Sequence, residues 1–321
     1  MTRRGEDSYD LRHALLREVI DGDLLPGERA GCTPPYLAYH WVAAGELERA
    51  LPAAVEAGIQ AERTFAFAEA LRHYERALEL WTRAPEAAKL APLDRITLLE
   101  RAAEAAHLIH DQPRTVELVR AALTGMNQAA DPARAGLLHE RLGRYLYSTL
   151  DEGALLAYEH AVQLVPGEPP SAERARVLAG YAQILILLGR DTECRQVAEE
   201  ALVVARLAGA MQAQGRALAC LGVALARLGD PDKGLTHLRQ ARRIAEEQAD
   251  VEGLGSACIT LTYVLKGAGQ LKEALAVTLQ GAESAVDLVP QDGTTASRPT
   301  PVRSSSAWAA GTKPTGTSVL S

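Results

Sequence analysis

Val177-Leu-Ala-Gly-Tyr-Ala-Gln-Ile-Leu-Ile-Leu-Leu-Gly189 is followed forty residues on by Ala217-Leu-Ala-Cys-Leu-Gly-Val-Ala-Leu-Ala-Arg-Leu-Gly229. A shorter apolar run, Cys258 to Leu265, leads to Gly269 at the same interval. Asp111, Asp151 and Asp191 carry the 40-residue spacing back through the preceding stretch. After each glycine the chain resumes with small residues at matching places: Ala198 and Ala201, Leu238 and Ala241, Ala274 and Gly281. A period of this size is the mark of stacked helical hairpins, in which each unit leans on its neighbours and no closed globule forms.

Working outward from these runs, helices are expected at 47–63 and 66–82, 92–109 and 112–124, 132–148 and 151–164, 171–188 and 191–207, 212–228 and 231–248, and 252–267 and 270–286. Asp131-Pro132, Ser171 and Asp230-Pro231 supply side-chain acceptors for helix starts, and two of them place proline at the first helical position. Leu188-Gly189 and Leu228-Gly229 read as helix ends, where glycine takes the left-handed conformation. In the hairpin over 47–82, Ala70, Tyr74, Ala77 and Leu78 occupy small and aromatic places, and Trp81 is expected to close the pair.

Composition agrees with helix-on-helix packing. The 321 residues are 47% hydrophobic but only 4% aromatic, so alanine and other small side chains must let helices approach closely. A net charge of −7 argues against a non-specific nucleic-acid binder, which needs a basic face to displace counterions. Met1-Thr-Arg-Arg opens onto polar and acidic residues rather than a secretory signal, and no apolar run approaches the ~18–20 residues needed to span a bilayer, so a cytoplasmic location is expected. Cys32, Cys194, Cys220 and Cys258 lack metal-ligand spacing, and three of them fall where the repeat wants a small residue, which predicts buried free thiols.

The residues before and after the ruler differ in kind. Residues 9–30 begin with an amphipathic helix carrying Leu11, Leu15 and Val19, stopped by Gly22. Arg12-His-Ala-Leu-Leu-Arg-Glu18 and Leu24-Leu-Pro-Gly-Glu-Arg29 resemble the end of the winged-helix part of signal-transduction ATPases with numerous domains, in the LuxR-type transcription-regulator branch. The hairpin array resembles the tetratricopeptide-like sensor region of the same family, although its period exceeds the 34 residues of the standard repeat. The resemblance covers roughly 9–286 and implies that His13 faces nucleotide phosphates held by a preceding ATP-binding domain. It leads us to expect a fragment truncated at both ends, with 1–30 a winged-helix remnant, 31–36 a linker and 37–286 the repeat array. From about Gln291 the chain turns to Thr, Ser, Pro and Gly, so 287–321 is expected to be a disordered tail. With GC-rich codons, residues 296–316 read one base earlier can give a repeat-like peptide, so the tail is expected to be out of frame. The codons decide this: no repeat-like peptide in the neighbouring frame would exclude it.

No catalytic constellation emerges. The Gly-x-x-x-x-Gly-Lys-Ser/Thr phosphate loop is absent: Gly229 to Gly234 mimics its spacing, but Leu235 stands where lysine is needed. There is no Gly-x-Ser-x-Gly elbow. His107 and His110 lack a third ligand and read as exposed histidines, so no metal is expected. Glu199-Glu200 and Glu246-Glu247 read as solvated charges. The expected fold is all-α, a right-handed solenoid of about six hairpins whose first helices line a concave groove. In that register Arg176, Gln183, Arg216, Arg227, Tyr263 and Lys266 point inward, where arginine and an aromatic suit an acidic peptide or small effector. The expected function is a non-enzymatic binding module with no cofactor of its own, either the sensor repeats of a LuxR-type regulator or a free-standing adaptor for peptides. Self-association is expected through an uncovered C-terminal repeat.

Overall fold

A computed structural model of the protein describes residues 34–149 and 151–287. The expectations for His13, Cys32, the winged-helix remnant and most of the tail lie outside these residues. Within them the chain forms thirteen α-helices and one 3-10 turn, with no strand. After α1 (Pro34–Ala43) come six hairpins: α2 (Leu47–Arg63) with α3 (Phe67–Arg83), α4 (Arg95–Leu108) with α5 (Gln112–Gly125), α6 (Pro132–Ser148) with α7 (Gly153–Leu164), α8 (Ala172–Leu187) with α9 (Asp191–Leu207), α10 (Met211–Arg227) with α11 (Pro231–Glu247), and α12 (Val251–Gly267) with α13 (Leu271–Asp287). This is the all-α tetratricopeptide-like solenoid that the periodicity implies.

The sequence chemistry of the helix ends is realised directly. Asp131, Ser171 and Asp230 each accept the backbone N–H three residues on, and Asp94, Asp111 and Asp250 do the same. At the far ends Gly189, Gly229 and Gly269 have φ of +72°, +100° and +75°. Ala249 takes the equivalent position after α11 with φ +50°, closed by Asp250 N–H donating to Ala245 O at 3.0 Å. A Cβ in that conformation crowds the following carbonyl. Ala249→Gly is therefore expected to raise stability by about 1 kcal/mol in urea unfolding, net of the entropy glycine adds to the unfolded chain. An unchanged or lower midpoint would show that the left-handed residue costs nothing there.

Two departures from the sequence reading occur near the N-terminal end. Helix α1 starts at Pro34, inside the stretch read as linker, because prolines suit a first turn that has no N–H partners to offer. Between α3 and α4, Pro85–Leu90 forms a 3-10 turn whose Ala87 is fully buried and which packs on α2.

The core runs the length of the array. One cluster extends from Ala38 to Tyr158 and takes in Ile184 of α8, and another extends from Leu178 to Val277, with Leu155 and Tyr181 packed against both. Cys194, Cys220 and Cys258 are buried free thiols within the second. Close approach depends on glycine: the ring of Tyr74 lies where a Cβ on Gly58 would stand, and that of Tyr158 does the same at Gly143. From α6 onward first helices pack on one another, α6 on α8, α8 on α10 and α10 on α12. At the end of the described array α13 buries Ala274 and Val277 but leaves Leu271, Leu275 and Leu279 more than half exposed, with no described helix over them. A unit with one neighbour has only one interface to hold it. Backbone hydrogen exchange across Leu271–Asp287 is expected to be faster than across Asp191–Leu207, and equally slow exchange would contradict that.

Candidate ligand-binding groove

The groove is built on a 40-residue column. Glu100, Glu140, Gly180 and Cys220 occupy corresponding places on α4, α6, α8 and α10. Gly180 is the member that makes the site. A Cβ on it would stand 3.1 Å from Glu140 Cγ and 3.3 Å from Oε1, so the missing side chain leaves room for the Glu140 carboxylate between helices. Glu140 is only 1% exposed. One turn before Gly180, Arg176 donates from Nη2 to Glu140 Oε2 at 3.2 Å. One turn before Cys220, Arg216 reaches back across α8 and brings Nη1 to 3.8 Å from Oε1. Two consecutive first helices thus deliver a guanidinium to one buried carboxylate, which is how a charge that costs several kcal/mol to desolvate is tolerated.

A third guanidinium joins from α6 itself. Arg144, one turn after Glu140, lies over the Tyr145 ring at 5.3 Å and 4.0 Å from Glu252 Oε1. Glu252 is 77% exposed, so that pair is screened and contributes little. Burial works against the Arg144 charge, but Glu140, Tyr145 and Glu252 outweigh it and hold its pKa above the ordinary value. Its Nε is buried and has no hydrogen-bond partner. Arg144, Arg176 and Arg216 line a hollow of about 430 Å³ together with Met211, Gln212, Gln248 and Glu252.

Arg144 and Arg176 also line the adjoining hollow of about 500 Å³, whose other walls are Glu62, Glu100, Arg101, Glu104 and Arg141. Here each acid has a close donor. Arg101 pairs with Glu62 at 2.8 Å, Arg134 with Glu100 at 2.7 Å, and Tyr145 donates its hydroxyl to Glu104 at 3.0 Å. Burial and the neighbouring Glu104 carboxylate push the Tyr145 phenol up to about 12, so it remains a donor. His107, read from sequence as exposed, is partly buried because Tyr145 covers it at 4.6 Å between centroids. That burial lowers its pKa, while His110 stands exposed at the end of α4. Among the described residues no group of three potential metal ligands occurs.

The sequence-predicted groove residues separate into two places. Arg176, Gln183 and Arg216 share one stretch, Gln183 and Arg216 bordering a smaller recess with Gln212, Gly215 and Ser256. Arg227, Tyr263 and Lys266 surround a different hollow of about 520 Å³ at the ends of α10 and α12. Arg227 donates there to Ile186 O at 2.9 Å, pairs with Asp191 at 3.3 Å and lies over Tyr263 at 5.5 Å. It ties α10 to the α8–α9 turn. Glu140, Arg144, Arg101, Arg141 and Tyr145 were not legible as groove residues. The available signal was the Glu100–Glu140 column, with Arg176 and Arg216 one turn ahead of its next two members.

No protein-family model matches the sequence, and no curated protein matches it. Solved structures do resemble the fold. BtubC from P. vanneervenii matches with a TM-score of 0.51 at 21% identity, over 74% of this chain and 94% of that one. The apo form of the quorum sensor NprR from B. thuringiensis matches with 0.50 at 11% identity, over 88% and 87%. The APC/C hetero-tetramer Cut9-Hcn1 matches with 0.50 at 12%, over 88% of this chain and 50% of that one. At such identities these likenesses establish a helical-repeat solenoid and speak to fold alone.

Proposed function

We propose that the array is a non-enzymatic, peptide-binding module that receives an extended segment of a partner along the first-helix groove. The observation that carries this reading is the pair of adjoining hollows, about 430 and 500 Å³, that share Arg144 and Arg176 as a common wall. An open trough with side-chain donors along it suits an extended chain better than a compact substrate, which needs an enclosed pocket. A quorum sensor is among the proteins built on this fold, which fits a receiving role.

The test is to select peptides by display against the chain and measure their affinity by calorimetry. Gln212 is exposed and lines the hollow, so Gln212→Trp is expected to weaken selected peptides at least tenfold. Gln196→Trp, at an exposed position on α9, should leave them unchanged. Equal affinity for all three proteins would remove the groove from the account.

The finer reading is that these repeats are the sensor region of a LuxR-type regulator ATPase, resident in the cytoplasm, where ATP belongs to a separate nucleotide-binding domain. It is supported by Arg12-His-Ala-Leu-Leu-Arg-Glu18 and Leu24-Leu-Pro-Gly-Glu-Arg29. The rival is an adaptor acting on its own. A nucleotide-binding domain encoded in any frame upstream of Met1 favours the first, and unrelated upstream DNA favours the second.

A further inference from the structure

We infer that the Arg144–Arg176–Arg216 cluster is an oxyanion subsite that seats a carboxylate or phosphate group of the groove's ligand. This rests on the peptide-binding reading and adds the chemistry that the ligand must carry. Donors here outnumber the acceptors that reach them. A guanidinium presents five N–H groups in a rigid fork, and three such forks converge here. The carboxylates that form ion pairs with them are two. Glu140 is fully buried and takes one hydrogen bond, from Arg176. Glu252 stands mostly in solvent, 4.0 Å from Arg144. Among the described residues neither Arg144 nor Arg216 makes a hydrogen bond: their ion pairs are long, at 4.0 and 3.8 Å, and Arg144 otherwise lies over the Tyr145 ring.

Several other arginines of the array are held more closely, although Arg141 also stands 3.8 Å from Glu100. Arg101, Arg114, Arg134 and Arg239 all reach a carboxylate on an adjacent hairpin at 2.6–2.8 Å. Those four arginines are occupied by the fold. Arg144 and Arg216 are held a further ångström from their acids, and both line the same hollow. Glu140 sets their positions without saturating them, because its buried carboxylate keeps the cationic groups together while offering only two oxygens. Of the acids of the second hollow, Glu62 and Glu100 are engaged by Arg101 and Arg134, while Glu104 accepts from the neutral Tyr145 hydroxyl and adds to the field at Arg144 without hydrogen-bonding it. An anion arriving along the trough therefore finds Arg144 at the wall common to both hollows and Arg216 in the first, each without a hydrogen bond.

The test uses three blocked tetrapeptides of glutamate, glutamine and phosphoserine, titrated into the full chain at low ionic strength. The anionic peptides are expected to bind at least tenfold more tightly than tetraglutamine, and Arg144→Met and Arg216→Met should each remove most of that preference. Arg144→Lys, which keeps the charge but loses the fork, should fall between. Arg72→Met on α3, an exposed arginine with a local partner, should change nothing. A preference for tetraglutamate assigns the subsite to a carboxylate and one for tetraphosphoserine to a phosphate. Melting curves confirm that the variants are folded. Anionic and neutral peptides bound alike, or a charge preference indifferent to Arg144 and Arg216, would overturn the subsite. The groove reading then stands or falls separately on whether display-selected peptides remain sensitive to Gln212→Trp.

Discussion

Gly222→Val is expected to lower stability by about 3 kcal/mol or more. The reason is geometric. A Cβ at Gly222 would lie 2.7 Å from the backbone oxygen of Gly234 and 2.7 Å from Leu238 Cγ, and one at Gly234 would lie 2.5 Å from the backbone oxygen of Gly222. Helices α10 and α11 therefore touch glycine to glycine. A flexible side chain could swing aside, but a helical carbonyl cannot, so α10 and α11 must separate. Their separation would expose Leu218, Leu221, Leu235 and Leu238, all buried in the same cluster. Glycine inside a helix costs about 1 kcal/mol relative to alanine, and the chain accepts that cost twice to obtain the approach. Since each hairpin leans on its neighbours, the loss should start in the C-terminal half and leave the helices before α8 partly folded. Urea unfolding followed by circular dichroism checks both points, and an unchanged midpoint would show that α10 and α11 are not in backbone contact.

Glu140→Ala is expected to cost about 2–3 kcal/mol. Removing one member of a buried pair typically costs about 3–5 kcal/mol because the other charge is stranded. Here the stranded groups are Arg176 and Arg216, whose side chains are 38% and 35% exposed, so water recovers part of the loss. What remains includes repulsion among three guanidiniums gathered around an absent acid. Raising the salt concentration to about 0.5 M should therefore narrow the gap between variant and wild type, since screening acts on that repulsion. A Glu140→Ala variant as stable as the parent at low salt would mean that Glu140 organises nothing.

Much of this molecule could be read from its residues, for identifiable reasons. Helices at 47–63, 132–148 and 191–207 fall where the period places them, because caps such as Asp131 and terminal glycines such as Gly189 act locally. Side-chain reach does not follow from period. Arg216 crosses α8 to approach Glu140, whose side chain lies close against residue 180; in the sequence Gly180 looks like any other small packing residue. Arg227 shares the outward register of Arg176 but stands in the last turn of α10, where the carbonyl of Ile186 at the end of α8 draws its guanidinium away from the first hollow. The burial of His107 was hidden for a similar reason: the ring that covers it, Tyr145, comes from the next hairpin.

The claim on which the rest depends is that the partner enters between the first helices and not against the outer ones. Photo-crosslinking measures this directly, with p-benzoylphenylalanine placed at Gln183 on α8 or at Gln196 on α9, both exposed. A display-selected peptide is predicted to crosslink from position 183 and not from 196. Crosslinks from 196 with none from 183 would contradict the account.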